Sequence, residues 1–347
     1  MTREVRVSHP EKVLFAEDGL TKGDLVGYYR AVAGAMLPLV EGRPLAMERY
    51  PNGIGGQGFF QQQAPKYAPD WIERVTVPHA ERGQTTHLVL GHAEDLIWLA
   101  NQNTVTLHVW PSRIDAVADD PVAGLDRPDL LVFDLDPAPA DTPEEQFAQV
   151  RLAATRLREL LDELGLPAWV KTTGSRGLHL VVPLDREATT AEADAFGLDV
   201  GRVVAAREPE RLTTEWLVED RDGKLLVDTA RNRWAQLIAA PYTVRAKPGA
   251  PVSTPLAWEE LDEPGFSPRR YTLRTVPERL AGGTDPWSEL RTRLGGRGAS
   301  LRAARERLAE VAPDLVPTDP GDRPTRFGRR DRRPGKAKAA GADGASD

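Results

Sequence analysis

The stretch LLVFDLDPAPADTPEEQ, Leu130–Gln146, holds two structural signals and one chemical one. Leu130 to Phe133 form an unbroken apolar run that reads as a buried strand. Pro137 ends it, and Thr142-Pro143-Glu144-Glu145 opens a helix with Asp141 or Thr142 as the N-cap. Asp134 and Asp136 stand at i and i+2 of the strand, so their carboxylates share a face about 6.5–7 Å apart at Cα. Such a pair repels itself unless water or a cation shares the site. A solvated strand end meets that condition. So does a Mg²⁺ or Mn²⁺ site, since these hard cations take carboxylate oxygens. Haloacid-dehalogenase-type phosphatases and glycosyltransferases also use D-x-D. The former normally carry Thr or Val where this chain has Ala138, and carry the motif near the N-terminus, so the pair alone selects no chemistry.

Outward from this strand the pattern alternates. A long amphipathic helix follows it and stops at Gly165. AWVKTTGSRGLHLVVPL, residues 168–184, reads as strand, tight loop, strand. EADAFGLDVGRVVAAR is helical, and KLLVDTARN is a strand that again ends in an acid. Upstream, a turn at Asp18-Gly19 precedes a helix from near Thr21 with Leu25, Tyr28 and Val32 on one stripe. LAMERYPNG, THLVLG and TVTLHVWPSR read as strands and AEDLIWLANQN as a helix. A charged helix over 298–310 and a Pro/Gly/Arg/Lys tail, expected to be disordered, end the chain. Interleaved strands and helices with polar groups at strand ends predict a mixed α/β (α+β) fold.

The bulk numbers narrow the class. The 347 residues are 40% hydrophobic and 28% charged, with no cysteine. Disulfide frameworks, thiolate metal sites and thiol nucleophiles are therefore excluded. No apolar run is long enough for a membrane span and the first residues lack an apolar leader, so a cytoplasmic protein with no membrane partner is expected. The net charge of −7 is unevenly spread: Arg323 to Asp347 holds eight basic and three acidic residues, leaving −12 on residues 1–322. Any polyanion site on the body must therefore be a local basic groove, and the tail could add nonspecific DNA affinity.

Two further segments add chemistry. KTTGSRGLHL places Thr172, Thr173, Ser175, Arg176 and His179 around Gly174 and Gly177. Hydroxyls, amides, Arg and His are donors suited to phosphate oxygens, although a polar hairpin turn has the same composition. No Walker loop occurs. Asp228 ends the apolar run of LLVD, and Arg245 and Lys247 follow in an extended segment. Three carboxylates from two strands with a donor-rich loop between them are what two-metal nucleotidyl transfer requires. One cation serves the attacking 3′-hydroxyl and the other the triphosphate, with Arg245 and Lys247 neutralising phosphate charge.

The ordered set D-L-D-P, G-S-R-G-L-H and APYTVRAKPGAPVSTPL closely resembles the polymerase domain of bacterial ligase D, in the archaeo-eukaryotic primase superfamily. SHPEKVLF, GLTKGDLVGYYRAVA, RYPNG, GFFQ and LHVWPSR extend the resemblance over about residues 5–280. It implies a primase-type core and Mn²⁺-dependent templated addition of NTP or dNTP, usually favouring ribonucleotides. The setting would be DNA ends or gapped DNA in non-homologous end joining, in the nucleoid-associated cytoplasm. Asp134, Asp136 and Asp228 match the metal triad, and Thr173, Ser175 and His179 match the triphosphate loop, with Arg176 inside it. Arg245 and Lys247 match the basic triphosphate pair, and His108 a histidine near the nucleotide. Lys12 and Lys22 match lysines that hold a 5′-phosphate, Phe59 and Phe60 match aromatics that stack on template bases, and Arg49 a DNA-contacting arginine.

There are departures from the family. Gln62 and Glu48 stand where it often has Lys and another basic residue, Thr173 where it has Ser, and Lys247 where Arg is commoner. The resemblance predicts a polymerase unit over 1–290, with DNA-end contacts within about 1–110 and the catalytic core within about 110–290, followed by a helix and tail over 291–347. No K-x-D-G ligase motif occurs, so a separate DNA ligase and an end-binding protein are the expected partners. The competing expectations are a non-catalytic end-bridging module of the same fold and a metal-dependent phosphohydrolase built on the D-x-D.

Overall fold

The computed structural model describes residues 4–79, 83–115, 119–283 and 285–315. The basic tail from Arg323 lies outside the described residues. A hairpin of β1 (Val13–Phe15) and β2 (Leu20–Thr21) runs into α1 (Lys22–Val40), whose start is a capping box between Thr21 and Asp24. Next come β3 (Leu45–Arg49) and β4 (Phe59–Gln61), then the hairpin of β5 (Glu73–His79) and β6 (Gly83–Val89). Helix α2 (Ala93–Asn101) leads to β7 (Thr104–Val109), β8 (Leu130–Asp136) and α3 (Pro143–Glu163). They are followed by β9 (Trp169–Thr172), β10 (Leu178–Pro183), α4 (Thr190–Arg207), β11 (Leu212–Thr213) and β12 (Leu225–Asp228). The chain then forms β13 (Ile238–Ala239), β14 (Pro255–Leu256), α5 (Thr275–Ala281), α6 (Ser288–Thr292) and α7 (Leu301–Val311).

Two larger sheets result. One has the order β11-β12-β8-β10-β9-β14, antiparallel except for the parallel β11–β12 pair. The other is antiparallel with the order β13-β7-β3-β4. Together with the helices this is the mixed α+β architecture expected from the sequence.

Strand β8 shows why the acids sit where they do. Leu131, Phe133 and Leu135 point into a core built with α3, α4 and α7. Leu130 and Val132 point the other way, into a core shared with α1, α2 and the second sheet. Asp134 and Asp136 continue that second row. The pleat therefore carries them onto the face that looks toward the four-stranded sheet, where the apolar packing stops. Helix α3 begins at Thr142, the second of the two candidate caps, whose hydroxyl accepts from the Glu145 amide. Residues past 290 are packed too: Leu301, Ala304 and Leu308 of α7 enter the α3/α4 core.

A buried ion triad ties the parts together. Asp129, just before β8, receives Arg43 at 2.7 Å and Arg113 at 2.8 Å, and both the Arg43 and Asp129 side chains are fully buried. Arg43 follows α1 and Arg113 follows β7, so this cluster fixes the entry of β8 against the N-terminal elements.

Candidate active site

Strand register assembles the site. Asp134 on β8 lies opposite Asp228 on β12 to one side and His179 on β10 to the other. His179 in turn faces Lys171 on β9. Four polar residues thus form one row across four strands, with Asp136 two positions further along β8. The expected triad and His179 are brought together. Lys171 is a member that sequence reasoning missed, although it directly precedes the donor-rich loop.

The carboxylates are largely buried and their proton affinities are pushed apart. Burial alone would push Asp134 up, but His179 at 3.3 Å and Arg231 at 3.1 Å hold it well below the usual carboxylate range. Burial, with the nearby Asp134 and Asp228 charges, pushes Asp136 up to about 6. Asp228 is also raised, by burial and then by Asp134. Burial and then the Lys171 ammonium drive His179 down to about 4, opposed by the adjacent Asp134. Lys171 is fully buried, donates to the Ser253 hydroxyl at 2.6 Å, and is lowered by that burial to about 7.

The loop between β9 and β10 closes over this row. The Thr173 hydroxyl accepts from the Ser175 and Gly177 amides at 3.2 Å and donates to the Gly177 carbonyl at 3.1 Å. That hydroxyl therefore shapes the loop, while Ser175 and Arg176 remain toward solvent. A Cβ at Gly177 would stand 2.2 Å from the Leu135 carbonyl oxygen, so glycine alone permits β10 to start this close to Asp136. Gly174, at φ +66°, leaves room for the Arg245 side chain. Arg245 donates to the Thr173 carbonyl at 2.9 Å, and its Nε is buried without a partner. Burial and then the nearby Arg269, Arg245 and Arg176 charges lower Lys247, and Arg269 donates to the Ser175 carbonyl at 3.1 Å. Arg269 is a further cation of this face that the sequence reading did not single out.

The second sheet supplies the facing wall. His108 on β7 lies 3.6 Å from Glu48 on β3 and edge-on to Phe60 at 5.3 Å. Contact with His108, then the Tyr50 hydroxyl at 2.6 Å, holds Glu48 down to about 2, while burial lowers His108. Phe59 and Phe60 are 45% and 51% exposed, so neither is a core residue. Arg49 lies over Phe59 at 5.3 Å and donates to Gln61, Tyr67 and the Gln102 carbonyl.

Lys12 and Lys22 lie apart from the acidic row, at the β1–β2 end of α1. Lys22 is the first residue of α1 and, unlike a lysine on an open loop, is buried. Its ammonium contacts Ser8 and Asn101 at 3.2–3.4 Å. Burial and then Lys12 lower its pKa, and the Lys22 amide donates to the Lys12 carbonyl, so the two lysines are neighbours. The C-terminal end of α2 anchors Lys22 through Asn101 and Arg49 through Gln102.

The donor set suits a hard cation: three buried or half-buried carboxylates on two adjacent strands, with Asp134 Oδ1 facing His179 Nε2 at 3.3 Å. No group of three His, Cys, Asp or Glu among the described residues stands in ready ligand geometry. Arg231, which the sequence reading passed over, fills the notch, its Nε 3.1 Å from Asp134 and 3.5 Å from Asp228.

Comparison with known proteins gives the family. The family described as LigD, primase-polymerase domain, matches residues 21–287. The multifunctional non-homologous end joining DNA repair protein LigD of Mycobacterium tuberculosis is 33% identical over 319 residues, 91% of this chain and 41% of that protein. LigD of Pseudomonas aeruginosa is 34% identical over 290 residues, 83% of this chain and 33% of that protein. The chain thus spans less than half the length of these curated relatives. The solved polymerase domain of Mycobacterium tuberculosis Ligase D in complex with DNA superposes with a TM-score of 0.78 at 32% identity, covering 85% of this chain and 100% of that one. Matched by that family model over most of its length and by relatives at 33–34% identity, this chain belongs to the LigD primase-polymerase domain family.

Proposed function

We propose that this chain is a template-directed nucleotidyltransferase that extends primer 3′ ends with ribo- or deoxynucleotides at DNA gaps or broken ends, in repair by end joining. The observation that carries this reading is the juxtaposition of Asp134, Asp136 and Asp228 with the Thr173–His179 loop on one sheet face. In the reaction the primer 3′-hydroxyl oxygen bonds to the α-phosphorus, the α–β bridging P–O bond breaks and pyrophosphate leaves. The hydroxyl proton goes to solvent. Mg²⁺ or Mn²⁺ held by the three carboxylates would lower the pKa of that hydroxyl and offset charge on the leaving group.

The chain's own residues supply the rest. Arg245, Lys247 and Arg176 neutralise the triphosphate, and the Ser175 hydroxyl and loop amides orient it. His179, buried beside Asp134 at 3.3 Å, holds that carboxylate in place. The exposed rings of Phe59 and Phe60 stack on bases without sequence preference. Arg49 positions the strand, and His108 borders the nucleotide. Lys12 and Lys22 form a point-charge site for a 5′-phosphate beyond the gap. The family's known setting adds a DNA ligase and an end-binding protein as partners.

The test is a gapped, 5′-phosphorylated template-primer incubated with Mn²⁺ and each nucleotide in turn. The wild-type chain extends the primer and an Asp134→Ala/Asp136→Ala protein loses activity by roughly a thousandfold or more. Equal extension by the double variant refutes the assignment.

A further inference from the structure

Arg231 lies, through one nitrogen, within 4 Å of two of the expected metal ligands. It belongs to a one-turn 3-10 segment, Ala230–Asn232, that leaves the end of β12. Its Nε is shared between Asp134 at 3.1 Å and Asp228 at 3.5 Å, and its side chain is 33% exposed. The two carboxylates it joins come from adjacent strands and are 8% and 3% exposed. A buried pair of like charges requires a compensating cation, and the guanidinium occupies the notch where a divalent ion would sit. The other oxygen of Asp134, Oδ1, faces His179 Nε2 at 3.3 Å, so the guanidinium engages only part of the carboxylate.

We propose that Arg231 is a built-in counter-ion that competes with divalent metal for the carboxylate cluster and must swing out for metal to load. The proposal rests on the reading of Asp134, Asp136 and Asp228 as metal ligands. The geometry permits the exchange, because the side chain hydrogen-bonds Asp134 through Nε and is one-third exposed at the edge of the site. An incoming triphosphate offers the displaced guanidinium another anion, so nucleotide and metal favour each other's entry. A lone divalent ion, by contrast, has to displace an ion pair. Arg231 is thus a positioning residue that makes metal loading conditional on substrate.

The experiment measures Mn²⁺ binding to the full chain without nucleotide or DNA, by the electron paramagnetic resonance signal of free Mn²⁺. Arg231→Gln and Arg231→Met are expected to bind Mn²⁺ at least roughly tenfold more tightly than wild type, because a unit of competing charge is removed. Arg231→Lys, which keeps the charge, should stay within about threefold of wild type. Both neutral variants should melt lower than wild type in EDTA and gain more from added Mn²⁺. The site at a solvent-edged turn lets two neutral variants be checked for native circular dichroism.

Unchanged or weaker Mn²⁺ binding by the folded neutral variants overturns the inference, since a purely structural ion pair predicts that result. The Asp134→Ala/Asp136→Ala protein separates the two ideas. If it retains wild-type Mn²⁺ affinity, the metal-site reading itself fails. If it loses that affinity while Arg231→Gln binds like wild type, only the role of Arg231 fails.

Discussion

Asp136 shows how one side chain carries the site's electrostatic cost. Burial and the neighbouring Asp134 and Asp228 charges raise it to about 6, against roughly 3.9 in the unfolded chain. The folded state therefore holds this proton more tightly than the unfolded state. The associated stability is complete below pH about 4 and is lost as pH rises through about 6. Asp136→Asn should accordingly stabilise the metal-free protein by about 1–2 kcal/mol at pH 7.5, discounted for partial exposure, and by little near pH 4. Thermal melts at the two pH values check this, and equal gains at both would contradict it. Thr173 makes a different kind of contribution. Its hydroxyl is engaged by loop amides and a loop carbonyl, so Thr173→Val should raise the nucleotide KM roughly tenfold with kcat changed less than about threefold. Thr173→Ser should resemble wild type, and steady-state kinetics distinguish the two.

At the scale of elements, the site depends on how closely β10 can begin beside β8. Gly177 sits at that start, with its absent Cβ overlapping the Leu135 carbonyl. Gly177→Ala must push the strand or the loop aside, at a cost of about 1–3 kcal/mol by the usual penalty for overpacking. The expected result is a lower melting midpoint together with loss of primer extension, because the loop and Asp136 separate. A variant that melts and extends like wild type would mean that the strands tolerate the extra atom. Strand β8 itself was legible from sequence, since its apolar run, its proline stop and the Thr142–Glu145 cap are all local signals. Strands β13 and β14 were not, because two-residue strands have no periodicity to read. Strand β5, which pairs with β6 along seven residues, likewise escaped notice.

Across the whole molecule, the two cores meet along β8, and the Arg43–Asp129–Arg113 triad holds that junction. Asp129→Ala would leave the fully buried Arg43 without its carboxylate, at a cost of about 3–5 kcal/mol. Urea denaturation should show a lower midpoint with an unchanged slope. A midpoint within error of wild type would show that the junction is held by apolar packing alone.

The residue types of the site were readable along the chain. D-x-D after an apolar run, a glycine-spaced donor loop and a second strand-end aspartate are short-range patterns whose chemistry is carried by the side chains themselves. Tertiary structure decided which of these residues meet. Asp228 pairs with Asp134 through strand register, and Lys171 joins the row only because β9 lies beside β10. Arg231 enters the acidic notch because a turn after β12 folds back over it, and no spacing in the sequence marks that contact. Exposure of Phe59 and Phe60 follows from β4 being the edge of its sheet. Local pattern specifies elements and chemical groups, whereas register, edges and burial arise from contacts between segments distant in the chain.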